Sequence, residues 1–110
     1  MGYELTYRLT KYAVSDLDEI VSYISNELSN SKAAADFIKR YEKVIHEIRT
    51  FPNSGALAGN EFLPVMHVRK KMIDNYMLYY TVDLQNNQIV ILRIIYAKRE
   101  LTDLIKKMTE

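Results

Sequence analysis

The sequence predicts an α+β domain, a small antiparallel sheet in β-α-α-β-β-β order with an N-terminal strand added. A helical hairpin covers one face and a short C-terminal helix follows. Three observations predict it. Val65 to Arg99 contains three runs rich in Val, Ile, Leu, Met and Tyr, interrupted by turn formers at Asp74-Asn75 and Asn86-Asn87. Tyr12 to Ile48 carries two apolar stripes of helical period, separated by Ser29-Asn30-Ser31. Helices and strands come in blocks and do not alternate, which argues for α+β over a doubly wound sheet. At 110 residues the chain has the length of one domain, taken as residues 1-110.

Tyr3 to Leu9 alternates strictly, with Tyr3, Leu5, Tyr7 and Leu9 on one side and Glu4, Thr6 and Arg8 on the other. That is a half-buried strand. Tyr12 to Leu28 then reads as a helix whose stripe is Ala13, Leu17, Ile20, Val21, Ile24 and Leu28. Asp16, Asp18, Glu19 and Glu27 fall largely off this stripe and read as a solvated face. Ser29-Asn30-Ser31 ends the first helix and caps the second, whose stripe is Ala34, Phe37, Ile38, Tyr41, Val44, Ile45 and Ile48. The second helix stops at Thr50-Phe51-Pro52, since the residue before proline disfavours the α region.

Asn53 to Pro64 reads as a loop, and Asp74-Asn75 as a tight hairpin turn. The last long run, Ile89 to Ile95, is apolar at both parities, as in a central strand buried on both faces. Leu101, Leu104, Ile105 and Met108 suggest the short C-terminal helix. Because one helical hairpin covers only one face, the other face and its basic strand ends are expected to be open.

Composition excludes several classes of function. Without cysteine there is no disulfide, thiolate metal site or cysteine nucleophile, in keeping with a reducing cytoplasm. His46 and His67 lack a third ligand at useful spacing, so neither a metal nor another cofactor is expected. No apolar run approaches the roughly 20 residues that span a bilayer, and the first residues do not follow a signal-peptide pattern, so a soluble intracellular protein is expected. A net charge of +1 puts any nucleic-acid role on a local patch.

The basic residues supply the candidates. Arg93 interrupts the apolar run and either snorkels to the rim, pairs with a carboxylate or enters a groove. Arg69, Lys70 and Lys71 either protect an edge strand or meet an anionic partner, with Lys70 on the opposite face from Arg69 and Lys71. Lys98 and Arg99 end the last strand, where a cation meets an anion without prior desolvation; the other reading is surface charge at a helix start. Tyr96 stands beside them as a donor or stacking surface, whereas Tyr76, Tyr79 and Tyr80 read as core and cross-strand packing or, with Tyr96, as a base-stacking platform.

The ordered set Tyr12-x-x-x-Asp16-Leu17-x-x-Ile20-x-x-Tyr23-Ile24, Ala34-x-x-Phe37-Ile38, Phe51-Pro52-x-x-Gly55, Asn75-Tyr76-x-Leu78-x-Tyr80 and Ile91-Leu92-Arg93-Ile94-x-Tyr96-x-Lys98-Arg99 resembles the RelE/ParE superfamily of type II toxin-antitoxin toxins over nearly the whole chain. The resemblance implies a toxin neutralised by a cognate antitoxin, through which the complex reaches operator DNA. Two activities occur in that superfamily. RelE-like members cleave messenger RNA on the ribosome, and an arginine follows the hairpin aromatic; Met77 stands there in this chain. Ala97 and Ile105 stand near the position of their C-terminal Tyr or His.

The spacing is closer to the ParE branch, whose toxins block DNA gyrase. With the placement of the basic residues, this makes Arg69, Lys71, Tyr96, Lys98 and Arg99 the candidates for target or antitoxin binding. The alternative is an mRNA endonuclease using Arg69, Arg93 and Arg99 for phosphate and Tyr96 or His67 for proton transfer.

Overall fold

A computed structural model describes residues 5–58 and 67–98 of the chain. Its elements are β1 (Thr6–Leu9), α1 (Lys11–Ser22), a π-helical turn (Tyr23–Glu27), α2 (Ser31–Thr50), β2 (Ala56–Leu57), β3 (Val68–Ile73), β4 (Tyr76–Asp83) and β5 (Gln88–Tyr96). Arg99, the expected helix around Leu101 to Met108, the start of the first strand and the end of the long loop lie outside the described residues.

The five strands form one mixed sheet in the order β1-β5-β4-β3-β2. β1 runs parallel to β5, from Thr6↔Gln88 to Leu9↔Ile91, and the other pairings are antiparallel. The helical hairpin between β1 and the remaining strands provides the long crossover that a parallel neighbour requires. β2 falls inside the predicted loop. Its two exposed residues pair with Lys70 and Arg69 and carry no periodicity that a sequence pattern could reveal.

Thr10 caps α1, its hydroxyl accepting from the Ala13 N–H at 3.1 Å, and Asn30 caps α2 by accepting from the Ala33 N–H at 2.9 Å. The predicted first helix extended smoothly to Leu28, but its last turn widens at Tyr23–Glu27, where the Leu28 N–H reaches the Tyr23 carbonyl. An extra residue in a turn rotates the following positions by about 100°. Leu28 consequently leaves the apolar stripe and is 55% exposed.

The stripes of α1 and α2 pack Ala13, Ile20, Phe37, Tyr41, Ile45 and Ile48 onto Leu78, Tyr80, Ile89, Ile91 and Ile94. Each fully buried side chain of this size contributes about 1.5–3 kcal/mol. The second face of the sheet is not the open surface expected. Ala58, Val68, Tyr79, Val90, Leu92 and Ile95 form a second buried cluster there, with Met77 packed against it. The apolar residues at both parities of β5 thus feed two core layers.

A register shift lies between Tyr79 and Tyr80: Tyr80 faces Ile91 and Tyr79 faces Arg93, so Leu92 is the extra residue. After this bulge the helix-facing series continues Ile89, Ile91, Ile94, and the alternation that would otherwise carry Arg93 into the core is interrupted.

Left-handed Asp74 (φ 53°) sits in the β3–β4 turn, and Asn87 (φ 49°) ends the β4–β5 turn. Asp83 organises the latter by accepting from Asn86 Nδ2 at 2.7 Å and from the backbone N–H groups of Gln85 and Asn86. Its carboxyl is held below its ordinary pKa, first by the Asn86 side chain and then by those backbone donors and the Arg8 charge, against a smaller opposing effect of desolvation. A depressed folded-state pKa gives stability that is present above the unfolded pKa and lost as pH falls through the folded one. In denaturation measured across pH, the stability gap between wild type and Asp83→Ala is therefore expected at neutral pH and should close in acid.

A candidate aromatic docking cleft

Where β1 stops, α1 takes over its pairing with β5. The Thr10 N–H donates to Ile91 O at 3.0 Å and the Thr10 hydroxyl to Leu92 O at 2.8 Å. One helical turn later Asp16 accepts from Arg93 Nε at 2.7 Å, Arg93 Nη2 at 2.8 Å and the Ile94 N–H at 2.9 Å. The two side chains are 10% and 9% exposed, so this is a buried bidentate pair. Among the three roles open to Arg93, it takes carboxylate pairing. Asp16 is correspondingly not part of a solvated face. The signal was available: Asp16 stands three residues after Ala13 and four before Ile20, on the buried side of α1.

Beside this pair opens a cleft of about 500 Å³, lined by Asp16, Glu19, Ile20, Tyr23, Tyr76, Ile94, Ile95 and Tyr96. An adjoining recess of about 290 Å³ shares Tyr23, Tyr76 and Tyr96 and runs on past Leu28 and Phe37 to Arg40 and Asp74. Arg40 Nε lies 2.8 Å from Asp74 Oδ1, which ties α2 to the hairpin tip. The ring of Tyr76 is edge-on to Phe37 at 5.5 Å and to Tyr96 at 5.8 Å, both at 77°. Burial raises the pKa of the Tyr76 phenol, and nearby Tyr23 and Tyr96 add to the rise, so its proton is held more firmly. Tyr23 and Tyr96 are 50% and 41% exposed. Rigid rings with wet hydroxyl tips provide large contact area at little entropic cost, which suits them to binding a protein.

The predicted site residues are divided among different places. Tyr96 lines the cleft, and exposed Lys98 follows it in the chain. Arg69 donates through Nη1 to the carbonyls of Gly55 at 2.8 Å and Asn53 at 3.3 Å, and so holds the loop before β2. Lys71 pairs with Glu47 of α2 at 3.2 Å. Arg69 and His67 line a different cleft, toward the other end of β4. The basic run lies on a strand paired on both sides, with β2 covering Arg69 and Lys70. Tyr23 and Glu19 are the cleft residues that the sequence reading missed. A lone exposed tyrosine at the end of a helix has no periodicity to mark it.

Among the described residues no group of His, Asp and Glu gathers to hold a metal ion, and no helix is long and apolar enough to cross a membrane.

The fold occurs in solved toxin-antitoxin structures. A chromosomal ParDE system from P. aeruginosa aligns with TM-score 0.67 and 22% identity, covering 86% of this chain and 98% of that one. A RelBE complex from Mycobacterium tuberculosis aligns with TM-score 0.57 and 20% identity over 84% and 98% of the two chains. An archaeal RelE-RelB complex from Pyrococcus horikoshii OT3 aligns with TM-score 0.58 and 16% identity over 91% and 100%. No curated protein matches the sequence significantly. A family model described as the ParE toxin of the type II toxin-antitoxin system parDE matches residues 7–101. With the matched span covering most of the chain and the fold agreeing, the protein belongs to the ParE toxin family of type II toxin-antitoxin systems.

Proposed function

We propose that this toxin arrests growth in the cytoplasm by binding a protein target, DNA gyrase, through the aromatic cleft and the adjoining Lys98, and that a cognate antitoxin neutralises it. The observation that carries this reading is that, among the described residues, the two arginines offered for phosphate binding, Arg69 and Arg93, are apart and each is engaged in a structural contact. Arg93 is locked to Asp16, while Arg69 lies in another cleft and braces a loop. Cleavage needs cations converging on one phosphate together with a group that moves a proton. Met77, at the position where RelE-like members carry arginine, packs against the apolar cluster of the second face. What stays accessible around β5 is aromatic surface, which favours a protein partner.

A supercoiling assay with purified toxin and gyrase tests this reading. Wild type should inhibit at micromolar concentration. Tyr96→Ala should raise the inhibitory concentration roughly thirtyfold, corresponding to about 2 kcal/mol for an exposed aromatic anchor. Undisturbed gyrase together with growth arrest in cells would reject the target. Primer extension on ribosome-bound messages would then test RNA cleavage.

A further inference from the structure

The cleft at the other end of the sheet has a different chemistry. It measures about 500 Å³, and Leu5, Pro52, Tyr80 and Val82 supply much of its apolar lining. Leu57 and Leu84 also line it and are 60% and 82% exposed. Aliphatic side chains left in water beside an apolar recess mark an interaction surface. The polar lining comes from His67, Arg69, Thr81 and two asparagines, and none of the described lining residues is a carboxylate. Among the described residues Arg69 commits only Nη1, to two loop carbonyls, which leaves Nε and Nη2 as donors. Asp83, the acidic residue of the adjoining turn, is occupied by Asn86 and the backbone of its own loop.

We propose that this cleft is a second docking site, and that its occupant is a partner segment carrying an aliphatic side chain next to a carboxylate. The aliphatic group fills the recess between Leu57 and Leu84, and the carboxylate meets the free edge of the Arg69 guanidinium. Arg69 suits this role because the loop carbonyls already orient its planar fork, so little side-chain entropy remains to be lost on binding. Tyr76 lines the aromatic cleft, whereas Tyr80, Thr81 and Val82 line this one. Opposite ends of β4 therefore present two separate surfaces. The inference does not depend on gyrase being the target.

The test is an amide-resolved NMR titration of the full chain with acetyl-Leu-Glu-Leu-amide and its Gln and Lys counterparts. Expected are shifts at Thr81, Leu84 and Asn87, with the glutamate peptide bound about tenfold more tightly than the glutamine one, as a charge-assisted pair implies. Leu84→Ser should weaken binding while leaving the spectrum otherwise unchanged, because that side chain is in solvent. Equal affinity for the three peptides, shifts around Tyr23 and Tyr96 instead, no shift at millimolar peptide, or indifference to Leu84→Ser would each overturn the proposal. Sedimentation is the companion measurement: a dimer abolished by Leu84→Ser would assign the cleft to a second copy of the chain and overturn it equally.

Discussion

Replacing Asp16 with alanine should lower the unfolding free energy by about 3–5 kcal/mol, because it leaves a buried cation without its partner. The carboxylate makes three bonds of 2.7–2.9 Å, two to Arg93 and one to the Ile94 N–H. Water cannot replace it, since Arg93 is 8% exposed and held between α1 and β5. A domain of this size has about 5–15 kcal/mol in total, so the variant should approach the folding threshold. Urea denaturation measures the loss. The double variant Asp16→Leu with Arg93→Met removes both charges and should recover much of it, leaving about 1–3 kcal/mol for the unpaired Ile94 N–H. A single-variant loss under about 1 kcal/mol would mean that the pair is solvated after all.

Gly55→Ala should cost about 2–3 kcal/mol by overpacking and lost hydrogen bonds. A Cβ on Gly55 would stand 2.7 Å from the Tyr80 hydroxyl oxygen, and 2.8 Å from both Tyr80 Cε1 and the Lys70 carbonyl oxygen. The carbonyl belongs to β3, which is paired on both sides and cannot retreat, so the loop has to lift. Lifting breaks the Gly55 N–H bond to the Tyr80 hydroxyl at 3.0 Å and the grip of Arg69 on Gly55 O at 2.8 Å. Tyr80→Phe removes the hydroxyl alone and leaves the Pro52 carbonyl and Gly55 N–H without it, at about 1–3 kcal/mol. Part of the clash is with that hydroxyl, so the double variant should cost less than the sum of the singles. Strict additivity in chemical denaturation would mean that the backbone contact alone dominates.

How far the architecture could be read follows from how long each pattern runs. α1, α2 and the β3–β4–β5 meander span many residues with consistent period, and their capping and turn residues agree with that period. β2 has two residues, and the bulge at Leu92 is a single insertion, so neither has a period to detect. Arg93 was conspicuous because an isolated cation in an apolar strand requires compensation. Its partner went unrecognised because Asp16 was grouped with the exposed acids of α1, although its spacing from Ala13 and Ile20 placed it inside. Apolar residues at both parities of β5 announced two covered faces, and the expectation of one open face overlooked this.

The candidate site was the least legible part, for a related reason. The aromatic cleft is assembled from one helix, one turn and two strands, and each tyrosine in isolation resembles packing. Tyr96 was singled out by proximity to a basic pair. Tyr23 joins it only when α1 is laid against β5 with Asp16 on Arg93, a placement that requires the three-dimensional pairing.

The parallel β1–β5 pair has a consequence for the order in which the chain is made. Thr10 and Leu92 are 82 residues apart, and ribosomes add about 5–20 residues per second, so the first strand waits roughly 4–16 s for its neighbour to be synthesised. Throughout that interval the nascent polypeptide has neither the Asp16–Arg93 clamp nor the aromatic cleft. Both are completed only once β5 has been added and returns to lie beside the strand made first.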